Sequence, residues 1–326
     1  MANIGGKVAE KFRDVFRIPH KEKLQWFPGH MNRGLKQMQR HLKNVDCVIE
    51  VHDARIPISG RNPNFRHTVT GIKPHIFVLN KIDLADKRCT EMTKKSLQQE
   101  GFSHVLFTNF KNQQCQGMKE ILPLAIDLIN NTNRYNRSNQ EDFAIMVIGV
   151  PNVGKSSLIN RLRNKHLGKA NATAVGAVAG ITRSVLTRIK IKETPPVYLL
   201  DTPGVLTPNV PNVEIGLKLA LVSCLQDHLV GPDVIADYLL YWLNKNRRFE
   251  YVDKLGLSDP CDDILEVLTL SAVKLQKTKK IRQHDNQIVI CPDIQAAAQN
   301  FLKIFRSGEL GPVCLDADIL QNRTNS

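Results

Sequence analysis

The chain has 326 residues, of which 42% are hydrophobic and 23% charged, proportions that are ordinary for a globular protein. No stretch approaches the roughly 20 consecutive apolar residues that a membrane-spanning helix needs. The seven cysteines are scattered singly, without a CxxC pair or a histidine at metal-ligand spacing. This pattern argues against a zinc site and a disulfide scaffold, and it favours a reducing compartment.

The net charge of +14 is unevenly distributed. Residues 1–206 hold 32 basic against 16 acidic residues, whereas residues 207–326 hold 13 against 15. A surplus of this size favours a polyanionic partner, which would be nucleic acid or an acidic membrane surface.

Residues 1–23 carry six basic and three acidic side chains. Val8, Phe12, Val15 and Phe16 recur at helical spacing, so this segment is predicted to form a basic amphipathic helix. A mitochondrial presequence has that form, although the acidic residues and the absence of serine are unusual in one. An arm that lies on RNA or on an acidic membrane surface fits nearly as well.

Short apolar runs alternate with helical stretches over the next 180 or so residues, which predicts a mostly parallel six-stranded sheet covered on both faces. The predicted strands are Val45–Val51, His75–Leu79, Val105–Thr108, Phe143–Ile148, Val185–Ile191 and Val197–Leu200.

Beyond residue 204 the pattern becomes helical, and a smaller all-helical domain is expected over 207–326. The predicted helices are Gly216–Leu225, Asp233–Asn244, Asp262–Lys277 and Ile294–Ser307.

Residues 149–156, GVPNVGKS, match the phosphate-binding pattern GxxxxGK[ST] between a predicted strand and a helix. The glycines let backbone N–H groups close around phosphate oxygens at a helix N-terminus. Lys155 should reach the β- and γ-phosphates, and Ser156 should bind Mg²⁺ through its hydroxyl. The residues expected to contact the phosphates are Asn152, Val153, Gly154, Lys155, Ser156 and Ser157.

A DxxG motif, Asp201 to Gly204, follows the last predicted strand. Asp201 can hold the same Mg²⁺ through water, and the N–H of Gly204 is expected to sense the γ-phosphate. Between the two motifs, Thr182 lies in a loop rich in glycine and alanine. It is the candidate switch threonine that closes on the metal.

Asn80, Lys81 and Asp83 form an NKxD motif at the end of a predicted strand. Asp83 should accept hydrogen bonds from guanine N1 and N2, so a buried carboxylate here would reject adenine. Lys81 is expected to stack along the base and Asn80 to brace the loop. Thr108 and Asn109 begin the second base-side loop, where a SAK sequence is usual.

The order of these motifs is informative. NKxD lies about 70 residues upstream of the phosphate loop, whereas ordinary GTPases have it downstream. The sequence therefore predicts a circularly permuted P-loop GTPase domain that binds GTP or GDP with Mg²⁺. The polar residues 131–141 are interpreted as the linker that joins the former termini.

The catalytic group is less obvious. Many GTPases place a glutamine directly after DxxG to orient the attacking water, but Val205 follows here. Turnover should therefore be slow unless a partner or another group contributes. His30 is one candidate. Asn152 is another, as a ligand for a monovalent cation in place of an arginine finger.

Five motifs together resemble the circularly permuted GTPases of large-ribosomal-subunit assembly, the ribosome biogenesis GTPase A family, and most closely its mitochondrial branch. They are WFPGHM at 26–31, DARIP at 53–57, NKID, GVPNVGKS and DTPGV. The likeness runs from about residue 24 to about 310. It implies that His30 is catalytic with Lys155, Thr182 and Gly204, and that K⁺ stimulation involves Asn152.

The chain is expected to have three parts: an N-terminal segment 1–23, a GTPase domain 24–206 and a C-terminal domain 207–326, which the resemblance implies binds RNA. The implied partners are the mitochondrial large ribosomal subunit and its rRNA. The implied location is the mitochondrial matrix, with peripheral contact to the inner membrane. Two alternatives remain: a nucleotide-gated RNA-binding checkpoint with incidental hydrolysis, and a membrane-surface signalling GTPase.

The slightly acidic C-terminal third suggests that part of the rRNA contact lies elsewhere. Residues 161–192 contain eight basic residues and no acidic ones, and we expect this stretch to meet rRNA together with the basic stretch Lys274–Arg282. The basic residues are Arg161, Arg163, Lys165, Lys169, Arg183, Arg188, Lys190 and Lys192.

Overall fold

The structure is a computed structural model that describes residues 12–17, 36, 38–62, 65, 73–112, 114–134, 137–169, 173, 187–205, 212–282 and 288–324. The chain divides into two compact units. The sheet unit comprises Gln25–Leu229 with Gly311–Ser326, and the helical unit comprises Met1–Leu24 with Val230–Leu310. This division differs from the expected boundary after residue 206, because buried polar contacts hold residues 213–221 and 313–316 in the sheet unit.

The sheet unit is built on six strands in the order β3-β2-β1-β4-β6-β5. All neighbours are parallel except β5, which runs antiparallel to β6. The central strands β1 and β4 are buried at every position, as expected for a sheet covered on both faces. The predicted six-stranded, mostly parallel sheet is confirmed. Its strands are β1 Cys47–Asp53, β2 His75–Asn80, β3 Val105–Phe107, β4 Phe143–Ile148, β5 Thr187–Lys192 and β6 Val197–Asp201.

Helices connect and cover these strands, and residues 38–41 are helical as well. Among the described residues, no helix is both long and apolar enough to cross a membrane. The helices of both units, in chain order, are α1 Thr90–Gln99, α2 Gln116–Asn130, α3 Lys155–Leu167, α4 Val213–Leu221, α5 Pro232–Lys245, α6 Glu250–Leu255, α7 Ile264–Lys274, α8 Ile294–Ser307 and α9 Ala317–Thr324.

The carboxyl ends of the parallel strands meet at one edge of the sheet. β1 ends there in Asp53, β2 in Asn80 and β6 in Asp201, while β4 leads into residues 149–156. Ligands of open α/β sheets bind at this edge, outside the strand ends. The topology therefore brings motifs that are far apart in sequence to one place.

The polar stretch after α2 is anchored to the sheet. Arg134 forms two hydrogen bonds to Asp46, at 3.1 and 3.0 Å, and Arg137 forms two more at the same distances. Asp46 is buried just before β1 and also accepts from the amide of Ala144 at 2.8 Å. The segment interpreted as a linker thus joins the starts of β1 and β4 through buried charge.

The helical unit is not all helical. Strands β7 (Thr278–Arg282) and β8 (Ile288–Pro292) form an antiparallel pair. The helix expected to reach Lys277 ends at Lys274, because Gln276 adopts a positive φ of 52° and the chain then extends. The β-branched residues Ile288, Val289 and Ile290 of β8 favour a strand.

The N-terminal segment differs from its prediction. Residues 12–17 are not helical. Phe16 packs edge-on against Tyr238 at 5.3 Å between ring centroids, and Phe12 lies 5.7 Å from Phe249. These contacts fix the apolar side chains within the helical unit, so an amphipathic helix is wrong for these residues.

Candidate nucleotide-binding site

The phosphate loop depends on two glycines that no larger residue could replace. Gly149 has a φ of 146°, and a Cβ there would lie 2.2 Å from the carbonyl oxygen of Val51. Gly154 has a φ of 109°, and a Cβ there would lie 2.5 Å from the side-chain nitrogen of Asn80. The loop can therefore approach β1 and β2 only with glycine at both positions.

Lys155 points back into its own loop. Its Nζ donates to the carbonyls of Gly149, at 3.2 Å, and Val150, at 2.9 Å. Burial lowers the pKa of Lys155 to about 8, although the carboxylate of Asp201 opposes the shift. The ammonium thus lies within the cradle in which phosphate oxygens are expected to bind.

The predicted metal ligands lie together at the end of β6. Ser156 Oγ is 3.4 Å from Asp201 Oδ2, and Asp201 Oδ1 is buried with no hydrogen-bond partner among the described residues. Burial raises the pKa of Asp201, while Lys155 lowers it. The orphaned buried oxygen and the adjacent hydroxyl fit a hard cation such as Mg²⁺, which takes few protein ligands and completes its shell with water and phosphate oxygens.

The DxxG loop lies directly on the phosphate loop. A Cβ on Gly204 would lie 2.6 Å from the nitrogen of Pro151, and the amide of Val205 donates to the carbonyl of Gly149 at 3.3 Å. The Val205 side chain is only 1% exposed. A buried aliphatic side chain cannot orient a water molecule for attack, and the slow intrinsic turnover expected from the sequence stays a prediction.

Asn80 connects the base motif to two other loops. Its Nδ2 donates to the carbonyl of Val153 at 2.8 Å. Its Oδ1 accepts from the amide of Phe110 at 3.1 Å and from Thr108 Oγ1 at 3.4 Å. The structure therefore brings together the NKxD motif, the phosphate loop and the loop that begins at Thr108.

Lys81 has a partner that the sequence did not suggest. It adopts a left-handed φ of 62°, and its Nζ lies 2.9 Å from Asp53 Oδ2. Arg55 donates to both oxygens of Asp53, at 2.9 and 2.7 Å. Burial opposes ionisation of Asp53, but the two cations outweigh it and hold its pKa well below the usual range. A DxR sequence directly after a buried strand was the available signal.

Asp83 differs from its prediction in one respect. It lies on the 3₁₀ turn Ile82–Leu84, at the strand end, but its side chain is exposed rather than buried. The turn leaves the sheet edge at this point, so the carboxylate is open to solvent. Discrimination against adenine would then depend on the bound base to exclude water.

Arg161 belongs to the base side of the site. Its guanidinium donates to the carbonyls of Phe110, at 3.1 Å, and Lys111, at 3.0 Å. In the same basic stretch, Arg188 stacks 4.0 Å from the ring centroid of Tyr198. Both arginines therefore have partners within the chain, and the rRNA contact expected for the basic residues of 161–192 stays a prediction.

The structure describes only some of the remaining predicted residues. His30 and Thr182 lie outside the described residues. Asn109 is half-buried, and its amide donates to Cys115 Sγ at 3.3 Å. Asn152 has a φ of 58°, and its Nδ2 donates to the carbonyl of Ser223 at 2.9 Å, in the turn after α4.

A phosphate loop after β4, a DxxG loop packed on it and an NKxD motif delivered by an earlier strand define a circularly permuted P-loop GTPase. Residues 144–300 match the family described as a 50S ribosome-binding GTPase. A mitochondrial GTPase 1 from Aedes aegypti is 58% identical over 313 residues, covering 95% of this chain and 99% of that protein.

Two further relatives extend the comparison. A mitochondrial ribosome-associated GTPase 1 from Bos taurus is 51% identical over 97% of this chain and 96% of its own length. A ribosome biogenesis GTPase A from Bacillus pumilus is 33% identical over 77% of this chain and 86% of its own. The chain belongs to this family of GTPases.

The fold has a counterpart among solved structures. The GNP-bound crystal structure of YlqF from T. maritima matches with a TM-score of 0.53 and 23% identity, covering 85% of this chain and 94% of that one. At that identity the likeness supports the fold alone.

Proposed function

We propose that this chain is a GTP-hydrolysing assembly factor for the mitochondrial large ribosomal subunit, acting in the matrix and supporting mitochondrial translation. The observation that carries the proposal is the hydrogen bond from Asn80 to Val153, which unites the base motif and the phosphate loop despite their reversed order. The names of the relatives support the mitochondrial and ribosomal parts, and the family description supports the large subunit.

The described residues supply most of the binding chemistry. Lys155 and the backbone of 149–156 would bind the β- and γ-phosphates, and Ser156 and Asp201 would hold Mg²⁺ with Thr182 as the switch ligand. The N–H of Gly204 would contact the γ-phosphate. A bound metal ion neutralises the charge that develops on the transferred phosphoryl group.

Water activation needs a group other than Val205. We assign it to His30, together with a K⁺ ion that Asn152 helps to hold where an arginine finger acts in other GTPases. Since the Nδ2 of Asn152 donates to Ser223, the ion would bind its Oδ1. Exchanging potassium for sodium should lower turnover in the native protein and change little in Asn152→Ala.

The primary test is GTP turnover in potassium buffer with and without mitochondrial large subunits. Strong stimulation by large subunits, and not by small subunits, supports an assembly GTPase whose catalytic site is completed on its substrate. Tight GTP binding with no stimulation contradicts the proposal and favours the alternative below.

The alternative is an RNA-binding checkpoint in which hydrolysis is incidental. It gains support from the buried Val205, which leaves this loop without a water-orienting group. The variant His30→Ala separates the two, provided that its GTP affinity equals that of the native protein. If large subunits still mature at the native rate with a hydrolysis-deficient His30→Ala, the checkpoint is favoured.

The rRNA contact is best placed on basic residues that the fold leaves exposed. Lys165 and Lys169 are exposed at the end of α3, and Lys277, Lys279 and Lys280 are exposed on and before β7. Charge reversal within each group should weaken subunit binding and reduce its salt dependence. Unchanged binding and salt dependence in both sets would contradict this placement.

A membrane-surface signalling role is less well supported. A membrane role would use the N-terminal segment 1–23. In that segment Phe12 and Phe16 pack on aromatic side chains of the helical unit. Flotation with cardiolipin-containing vesicles tests the point. Binding that survives high salt would favour the membrane alternative.

A further inference from the structure

The stretch 311–316 lies along the chain that follows the base motif. Val313 donates its amide hydrogen to the carbonyl of Leu84 at 3.0 Å, and its own carbonyl accepts from the amide of Asp86 at 3.1 Å. These bonds form a short parallel bridge between Ala85 and Val313. The backbone just after NKID is thus held by residues more than 200 positions downstream.

Asp316 extends this attachment to the loop after β1. Its Oδ2 accepts from the amides of Ile58 at 2.9 Å and Ser59 at 2.8 Å, and its Oδ1 accepts from Ser59 Oγ at 2.5 Å. The preceding residue, Leu315, donates to the carbonyl of Arg55 at 2.8 Å. Asp316 is fully buried, so three charge-assisted hydrogen bonds compensate for its lost hydration.

Lys218 brings the helix that follows the DxxG loop to the same carboxylate. Lys218 lies on α4 and is only 2% exposed, and its Nζ is 3.5 Å from Asp316 Oδ1. Glu214, at 3.4 Å, and Asp318, at 3.7 Å, also lie within ion-pair distance of Lys218 and are largely exposed. Asp316 is therefore the only one of these carboxylates that is itself buried.

The turn after α4 reaches the phosphate side of the site. The carbonyl of Ser223 accepts from Asn152 of the phosphate loop at 2.9 Å. Burial raises the pKa of the Cys224 thiol to about 12, and of the four charges that also act on it three are cations that lower it. Those charges belong to Lys81, Asp53, Arg55 and Lys155.

We propose that Asp316 and Lys218 are positioning residues for guanine nucleotide binding: a buried ion pair that keeps α4 and the base-side loops in fixed relation. Neither residue lies in a nucleotide motif. The contacts run from Asn152 through the turn at 222–225 and α4 to Asp316, and from there to the Ser59 loop. Loss of the pair should therefore shorten the time that GDP stays bound. The inference rests on GTP binding at the site above and is independent of the ribosomal role.

The test is the dissociation rate of a fluorescent GDP analogue from Asp316→Asn. We expect it to rise about tenfold or more, within the range of typical coupling between sites. The KM for GTP should rise while kcat changes by less than about twofold, because the phosphate-side chemistry is retained. Lys218→Met should have a similar effect, and the two effects should not multiply in the double variant.

The matched control is Asp318→Asn, which removes a carboxylate at similar distance from Lys218 that is 68% exposed. Its GDP dissociation rate should stay within about twofold of the native value, because exposed ion pairs contribute little. Ser59→Ala, which deletes one donor to Asp316, guards against a failure of Asp316→Asn to fold. It should raise the rate about threefold, as expected for the loss of one hydrogen bond.

Several outcomes overturn the inference. One is an unchanged GDP dissociation rate in Asp316→Asn that is folded by circular dichroism at the assay temperature. If that variant does not fold, an unchanged rate in Ser59→Ala overturns it instead. An equal rise in Asp318→Asn would also do so, since it would indicate a general charge effect. Failure of the native protein to bind GDP would instead refute the proposed nucleotide site itself.

Discussion

The side-chain nitrogen of Asn80 donates a 2.8 Å hydrogen bond to the carbonyl of Val153. The first residue of the base motif therefore holds the phosphate loop directly, across 73 positions of chain. Because its Oδ1 accepts from Phe110 as well, one buried amide fixes three loops around the nucleotide. The reversed order of the motifs in the chain therefore does not keep these loops apart in the fold.

Asn80→Ala should weaken GDP binding by about 10- to 100-fold and lower the free energy of unfolding by roughly 1–3 kcal/mol, because it leaves buried backbone groups unpaired. Fluorescence titration and urea denaturation measure the two effects. Asn112→Ala, which removes an exposed turn hydrogen bond to Gln114, is the control and should change neither. Native GDP affinity in Asn80→Ala would contradict the role of this residue.

Asp83→Asn should lower GTP affinity by about 100-fold or more and raise affinity for xanthosine triphosphate, since the amide pairs with a carbonyl where guanine has an amino group. The melting temperature should not change, because Asp83 is exposed. Competition binding with both nucleotides tests this. An equal loss of affinity for GTP and for xanthosine triphosphate would show that Asp83 does not contact the base.

Arg161→Ala should weaken GDP binding by about tenfold, because the loop after Thr108 loses its two charge-assisted carbonyl contacts. Lys165→Ala, on the same helix and exposed, should leave GDP binding unchanged and affect subunit binding instead. Both variants are measured in both assays. If Arg161→Ala weakened subunit binding and left GDP binding unchanged, Arg161 would instead belong to the rRNA-binding surface.

The lowered pKa of Lys155, about 8, predicts proton uptake on nucleotide binding. Phosphate charge favours the ammonium form, so GDP affinity should be constant below pH 8 and fall as the pH rises above it. Calorimetry at pH 8.5 in buffers of different ionisation enthalpy measures the proton uptake. Lys165→Met should retain it. Absence of uptake in the native protein would mean that Lys155 is already fully charged.

Arg13→Ala should destabilise the helical unit by about 1–3 kcal/mol, since two half-buried aspartates lose their partner. The guanidinium lies 2.8 Å from Asp237 and 3.1 Å from Asp262. Thermal unfolding of the full chain gives the shift. Val15→Ala is the control, because that side chain is 67% exposed. Equal stability of Arg13→Ala and Val15→Ala would indicate that the segment is not docked in solution.

The sequence alone was sufficient for the features that depend on local pattern. Strand β4 was predicted from an apolar run. The loop 149–156 was predicted from a motif whose glycines allow the backbone conformation that the loop needs. The helix Ile294–Ser307 was predicted to the residue, because its apolar periodicity begins after Asp293, which caps it, and stops at Gly308. The same kind of periodicity predicted that α7 would include Leu275, but a positive φ at the next residue ends the helix earlier.

The tertiary structure decided what depends on residues far apart in the chain. Asp53 and Lys81 pair because β1 and β2 are neighbours in the sheet, and Asp316 meets Ser59 across 257 positions. The sequence predicted Arg161 as part of a basic surface, whereas in the structure its guanidinium donates to two loop carbonyls. Composition and spacing specify local backbone preferences, whereas partners for buried charges are set only when strand order and packing are fixed.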